Sequence, residues 1–256
     1  MANHRIIRSK MQKTRVLEND PILTHYVPDI CWFSEKSLLL MLRKHQAVYI
    51  KPDKGRQGLG IWRIVTEDTF SYTISNGTDI KTTSKKNLYD ELTKILHPKK
   101  KYLIQKGIDL ATYRNRPFDI RMVMQKIGSR WTFTLSSAKV GDHSSSIVTY
   151  SPEGSLEIPL EKLLVSIDQE MNLLSVYREL IDVSHQIATR LGQQFPFQVL
   201  GLDMAIDKDG SIWFIEANTK PDCTGLKKLN DPISLKKFRT AKAIFEKENN
   251  SFLTLD

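Results

Sequence analysis

The strongest period in the chain runs over residues 170–192. There Leu173, Leu174, Tyr177, Leu180, Ile181, Ser184, Ile187 and Leu191 fall on one stripe at helical spacing, and Gly192 marks the expected end. A second apolar run, Leu38 through Leu42, has Ser34 placed as its N-cap and Glu35 in its first turn. Residues 1–45 as a whole read as helical and cationic. A helix is expected over about 86–97, stopped by Pro98, and a basic one over roughly 232–248. Between them lie runs with the two-residue alternation of strands: 47–51, 61–65, 71–74, 79–83, 102–105, 118–126, 131–139, 198–206 and 211–217. Asn76-Gly77 between two of these is a hairpin signal. Antiparallel hairpins alternating with a few helices predict an α+β fold rather than a parallel doubly wound sheet. No internal repeat or low-complexity tract interrupts it.

Two loops in this pattern carry candidate chemistry. Lys51-Pro52-Asp53-Lys54-Gly55-Arg56-Gln57-Gly58-Leu59-Gly60 joins two strands. A P-loop or a dinucleotide fingerprint needs a helix after the glycines, so both are excluded. A strand–loop–strand can still fold over phosphates, with glycine N–H groups approaching closely and Lys51 supplying charge. The plain alternative is an ordinary hairpin.

The second loop joins Gly201-Leu202-Asp203-Met204-Ala205-Ile206 to Ile212-Trp213-Phe214-Ile215-Glu216-Ala217-Asn218. An even-length turn near Asp209 sets Asp203 opposite Phe214 or Glu216. Either register places Asp203, Glu216 and Asn218 on one face, with Leu202, Met204, Ile206, Trp213 and Ile215 on the other as core. An odd turn would break that geometry. Two carboxylates and a carboxamide suit a hard cation such as Mg²⁺ shared with substrate phosphates.

Composition narrows the classes. The chain has 256 residues, 40% hydrophobic and 26% charged, enough for a real core. Its net charge of +9 favours an anionic partner. The basic residues are spread, with groups at Lys99–Lys101 and around Lys227, Lys228, Lys236 and Lys237. No nucleic-acid module is visible, so nucleic acid is not an expected partner. No run approaches the roughly 18 apolar residues of a membrane helix, so no membrane is expected either. The polar start at 1–15 and the two isolated cysteines, Cys31 and Cys223, fit a cytoplasmic protein. The histidines form no metal-spaced pair, and His143 with Ser144, Ser145 and Ser146 lacks an orienting acid for nucleophilic catalysis.

A lysine before a glycine loop, followed late by an Asp…Glu-x-Asn hairpin, resembles the ATP-grasp superfamily. The likeness is greatest to the YheC/YheD-type proteins associated with bacterial endospore coats. Tyr49-Ile50-Lys51-Pro52, Gly58-Leu59-Gly60, Phe118-Asp119-Ile120-Arg121 and Phe214-Ile215-Glu216-Ala217-Asn218 carry it, across most of residues 8–221. The resemblance implies two α+β lobes with mainly antiparallel sheets gripping ATP and Mg²⁺. These would be a glycine-loop lobe at 46–108 and a metal-binding lobe with the basic C-terminal helix at 109–256, after an N-terminal helical segment at 1–45.

It also implies roles. Lys51, Gly55, Gly58 and Gly60 would meet the phosphates, Lys10 would be the earlier nucleotide-binding lysine, and the segment Gln105-Lys106-Gly107-Ile108 would meet the adenine through its backbone. Asp119 would bind the ribose. Arg121 and Lys139 would act at the reacting groups, and Asp203, Glu216 and Asn218 would hold magnesium. Lys139 stands where relatives often carry arginine, and Tyr150 where they place an asparagine near the metals. A substrate-binding domain usually precedes the grasp lobes, and only a short segment stands there.

The implied reaction is a carboxylate–amine ligation through an acyl phosphate, on an amino acid or peptide. The alternatives are a catalytically silent ATP-binding structural or assembly protein of the spore coat, and a kinase acting on a hydroxyl. An acidic peptide or polymer, drawn by the C-terminal lysines, is the expected acceptor or partner. A partner protein that supplies substrate recognition is a further expectation.

Overall fold

The structure, a computed structural model, describes residues 4–55, 58–77, 79–141 and 156–250. Two six-stranded antiparallel sheets form its frame. The first has the order β1-β6-β2-β3-β4-β5. It is built from β1 (Ile30–Trp32), β2 (Ala47–Pro52), β3 (Trp62–Thr66), β4 (Ser71–Ser75), β5 (Ile80–Ser84) and β6 (Tyr102–Lys106). Helices α2 (Glu35–Lys44) and α3 (Leu88–Ile95) cover it, burying Leu38, Met41, Leu42, Leu88 and Leu92 against Val48, Ile50, Ile64, Ile74 and Ile104. Ser34 caps α2 as expected. Its partner in the capping box is Ser37, whose hydroxyl accepts from the Ser34 N–H at 2.9 Å.

The second sheet runs β10-β9-β8-β11-β12, with β7 paired to β8. Its strands are β7 (Thr112–Tyr113), β8 (Arg116–Ile127), β9 (Arg130–Val140), β10 (Leu156–Ile158), β11 (Val199–Ile206) and β12 (Ile212–Asn218). Helices α4 (Leu160–Leu164) and α5 (Leu173–Gln194) close one face over Phe118, Ile120, Met122, Leu202, Met204 and Phe214. The other face divides in two. Near β10 and the turn of β12 it carries charged side chains. Further along, Val123 and Leu135 are covered by Leu226 and by Phe238 of α6 (Pro232–Asn250).

Three expectations need correction. Residues 1–45 are not helical throughout. Helix α1 (Lys10–Glu18) and α2 are separated by β1, a three-residue edge strand too short to show a period. Second, α5 continues two residues past Gly192. A Cβ there would lie 2.7 Å from Trp131 Nε1, so this glycine serves close packing rather than termination. Leu174, expected on the buried stripe, is exposed, and the stripe begins at Val176. The third is the late hairpin, whose turn has an odd number of residues.

Helix α1 divides its loyalties. Leu17 is buried in the core of the second sheet, whereas Met11 packs on Ile30 and Leu103 of the first.

Candidate functional site

The turn between β11 and β12 is odd: five residues, 207–211, separate the pair Ile206↔Ile212. Asp207 organises it. Its Oδ1 accepts from the N–H groups of Asp209 (3.0 Å) and Ser211 (2.9 Å), and Gly210 takes a φ of 84°. Continued without interruption, that register would set Asp203 opposite Ile215. Instead β12 carries a bulge, and Asp203 pairs with Glu216 while Met204 pairs with Phe214. Ile215 is the extra residue.

The bulge restores the expected carboxylate pair and shifts the phase of everything between it and the turn. Phe214 and Ile212 enter the core, while Trp213 and Ile215 are only half-buried. This reverses the expected core assignment of Trp213 and Ile215. Trp213 instead donates to Asp207 Oδ2 at 2.7 Å, and its ring lies 4.4 Å from Lys106 Nζ, so it meets the segment that joins the sheets.

A row of polar residues crosses the second sheet on this face. The register places Ser137, Arg121, Asp203 and Glu216 side by side on β9, β8, β11 and β12. One step along, Glu157, Lys139 and Asp119 are aligned on β10, β9 and β8. Arg121 Nε donates to Asp203 Oδ1 at 2.5 Å, and Asn218 Nδ2 to Asp203 Oδ2 at 2.9 Å. Ser137 donates to Glu157 at 2.7 Å.

Burial is the largest influence on Asp203 and raises its pKa, against the pull of Arg121. Asp203 in turn holds the Arg121 guanidinium more firmly charged. Asp119 is pushed up to about 7, by burial first and by the Asp203 charge second.

The first sheet and α1 face this row with cations. Lys10 Nζ lies 3.2 Å from Glu216 Oε1 and 3.4 Å from the Gly55 carbonyl. Lys51 is 5% exposed and donates to the Gln105 carboxamide; burial lowers its pKa to about 8, while Glu216 opposes that fall. Gly55 sits where a Cβ would strike Pro52 at 2.8 Å, and Gly58 and Gly60 take φ of 69° and 76°. Gln105 thus reaches the cluster through its side chain, in contact with Lys51. The Lys106 and Gly107 N–H groups are committed to the carbonyls of Asp29 and Ala47. Ile108 lies beyond them, half-buried.

Among the described residues, no group of three or more His, Cys, Asp or Glu side chains could hold a metal ion by itself. Asp203, Glu216 and Asn218 provide two carboxylates and an amide. This all-oxygen, incomplete set fits a magnesium ion that takes its remaining ligands from phosphates and water.

Sequence reasoning missed several contributors. Lys13, 2% exposed, lies three residues from Lys10 on α1. Its signal was available: Lys10, Lys13, Thr14 and Leu17 occupy the i, i+3, i+4, i+7 positions of a buried stripe. Asp53 Oδ1 accepts from Ser9 Oγ and the Met11 N–H, both at 2.9 Å, and so ties α1 to the glycine loop. Gly201 makes room for Arg121: a Cβ there would lie 3.2 Å from Nη1 and 2.7 Å from Pro221 Cβ. Glycine inside a strand is itself a sign of close approach. Tyr150 and the loop from His143 to Ser146 lie outside the described residues, as do Arg56 and Gln57.

Comparison with known proteins decides the family. Residues 1–246 match the family described as YheC/D like ATP-grasp. The chain belongs to this family. It is similar to the endospore coat-associated protein YheD of Bacillus subtilis (strain 168), 26% identical over 224 residues, covering 83% of this chain and 48% of YheD. The chain therefore spans about half the length of that relative.

Among solved structures, it resembles the ATP-grasp ligase PsnB complexed with minimal precursor. The TM-score is 0.50 at 14% identity, over 89% of this chain and 58% of that one. It also resembles N5-carboxyaminoimidazole synthase from Aspergillus clavatus, in complex with ADP and 5-aminoimidazole ribonucleotide. There the TM-score is 0.54 at 10% identity, over 87% and 47%. The α+β architecture with two antiparallel sheets is thus the ATP-grasp fold. ATP-grasp proteins in general bind ATP with Mg²⁺, and carboxylate and amine substrates. No helix among the described residues is long and apolar enough to cross a membrane.

Proposed function

We propose that the chain binds ATP and Mg²⁺ between its two sheets and joins a carboxylate to an amine through an acyl phosphate. The observation that carries this reading is the convergence of Lys10 and Lys51 on the Asp203–Glu216 pair, which sets cations for phosphate opposite ligands for metal. In it, Gly55, Gly58 and Gly60 cover the phosphates. Ile108 offers backbone to the adenine, and Lys106 packs beside it. Asp119 takes the ribose. The glycine-loop lobe is 46–108 with β1 and α2 added, and the metal-binding lobe is 109–256 with α1 added.

The substrate carboxylate forms a bond to the γ-phosphorus as the bond to ADP breaks. The amine nitrogen then bonds the acyl carbon, phosphate leaves, and the nitrogen loses a proton. Bound magnesium would neutralise phosphate charge. Lys51 and Lys10 hold the phosphates, while Arg121 and Lys139 face the developing acyl phosphate. Arg121 is fixed by Asp203 for that task. Lys139 can supply charge there but not a bidentate fork.

An amino acid or peptide is the proposed substrate class, and PsnB, described with its precursor, is a ligase precedent for the fold. The exposed Lys227, Lys228, Lys236 and Lys237 favour an acidic peptide or polymer as acceptor or partner. A protein that supplies substrate recognition is a further proposed partner. A cytoplasmic site of action is proposed, with spore-coat association as in YheD's name. That name also supports a second reading, an ATP-binding assembly protein without turnover.

The deciding experiment incubates the protein with Mg–ATP and a panel of amino acids and peptides, reading products by mass spectrometry. Amide product with ADP, dependent on both a carboxylate and an amine, supports ligation. A stable phosphoester would instead indicate a kinase, and nucleotide binding without any product the assembly reading.

A further inference from the structure

Lys13 is a buried lysine that neither the phosphates nor the acyl group needs in the scheme above. Its ammonium donates to the Ile7 carbonyl at 3.1 Å. Ile7 is held at both ends by one side chain: its N–H donates to Thr219 Oγ1 at 3.2 Å, and that hydroxyl lies 3.4 Å from the Ile7 carbonyl. Thr219 is itself buried and immediately follows Asn218. Its carbonyl meets His4 Nε2 at 2.6 Å, while His4 Nδ1 accepts from the Gln198 N–H at 3.1 Å. The Arg5 N–H adds a bond to the Pro196 carbonyl at 3.2 Å.

A few residues on, the same segment grips the other sheet through Asp53, whose backbone carbonyl also accepts from the Lys10 N–H at 3.1 Å. Residues 4–13 therefore fasten the end of β12 to the end of β2, with Lys13 at the joint.

We propose that Lys13 is a positioning residue of the metal site, acting through Ile7 and Thr219 to hold Glu216 and Asn218 at the spacing a divalent cation needs. The proposal rests on the nucleotide–magnesium reading. Two independent features carry it. The hydrogen-bonded path from Lys13 ends on the residue next to a candidate ligand. Lys13 also faces Glu216 and Asp203 electrostatically, with Lys10 and Asp53 as its other charged neighbours.

A lysine placed only to fill core would be costly to desolvate, and burial does depress its pKa. A lysine that anchors the Ile7 carbonyl and interacts electrostatically with Glu216 and Asp203 gains a use for that cost. Groups behind metal ligands are known to tune affinity by orientation rather than by contact.

The test titrates adenosine 5′-(β,γ-imido)triphosphate calorimetrically, with and without MgCl₂, into wild type, Lys13→Met, Thr219→Val and the double variant. The Mg²⁺ concentration that gives half of the affinity gain is expected to rise about tenfold in each single variant. Affinity without Mg²⁺ should change little. Because both side chains act along one path, the double variant should lose no more than the worse single one. Thr219→Val preserves shape and carries the test alone should Lys13→Met fail to fold.

Equal losses with and without Mg²⁺ would overturn the proposal in favour of a general structural or charge role, and so would an unchanged Mg²⁺ requirement. Failure of the wild type to bind the analogue at all would instead overturn the nucleotide reading on which it rests.

Discussion

Lysines of two regions differ in almost everything but charge. Lys10, Lys13 and Lys51 are 7%, 2% and 5% exposed; Lys10 pairs with Glu216, and Lys13 and Lys51, hydrogen-bonded to the Ile7 carbonyl and the Gln105 carboxamide, interact electrostatically with Glu216 and Asp203. Lys227, Lys228, Lys236 and Lys237 are exposed along the C-terminal region, where the Lys227 ammonium lies 5.6 Å from the Phe238 ring. Water and salt screen the second group within about 10 Å at ordinary ionic strength. The first group lies where charges are felt and are costly to leave unpaired. A net charge of +9 sums both kinds. It therefore says that an anion is welcome, but not where.

The sharpest way to break the comparison is to remove the carboxylates that the interior lysines face. Asp203→Asn or Glu216→Gln should reduce Mg²⁺-dependent ATP turnover to background while circular dichroism stays native. Wild-type rates in either variant would take that residue out of the metal site.

The second test uses pH. Lys51 titrates at about 8 in the folded protein, and bound phosphate requires its charged form. Nucleotide affinity should therefore fall as pH rises through 8, by up to about tenfold per unit where this group dominates. Lys51→Met should flatten that slope. Between pH 8 and the unfolded value of 10.5, the unfolded chain binds the extra proton, so Lys51 makes stability rise with pH across that window.

Gly201→Ala should have a smaller effect, destabilising the fold by about 1–3 kcal/mol in urea unfolding, because the added methyl meets Pro221 and Arg121. Smallest is the expected effect of neutralising all four C-terminal lysines on ATP: within about twofold at physiological salt. The same variant should lose its salt-sensitive capture of poly-glutamate. Unchanged capture would make that surface a merely solvated face.

Much of this was legible in the chain. Strand–loop–strand glycine patterning, the Asp203…Glu216-x-Asn218 spacing and the alternation of β8 all express local rules, and the structure follows them. What local rules could not express was compensation between two irregularities. An odd turn alone would have separated Asp203 from Glu216, yet the bulge at Ile215 cancels it, and Phe214 replaces Trp213 in the core. Nor could they reveal contacts that close over more than 200 residues, such as Ile7 on Thr219. Lys13 lay in between. Its helical spacing was visible, but a lysine on a short basic helix reads as solvated until the distant carbonyl and carboxylates it serves are brought to it by the fold.

The most direct test of the account is calorimetric titration of ATP with Mg²⁺ into three proteins side by side: wild type, Lys51→Met and the four-lysine variant. Loss of one charge-assisted contact of about 2 kcal/mol predicts a Kd roughly 30-fold weaker for Lys51→Met, with the four-lysine variant close to wild type. Equal weakening in both variants would contradict the account, because it would mean that the nucleotide is drawn by overall positive charge and not held between Lys51 and the Asp203–Glu216 pair.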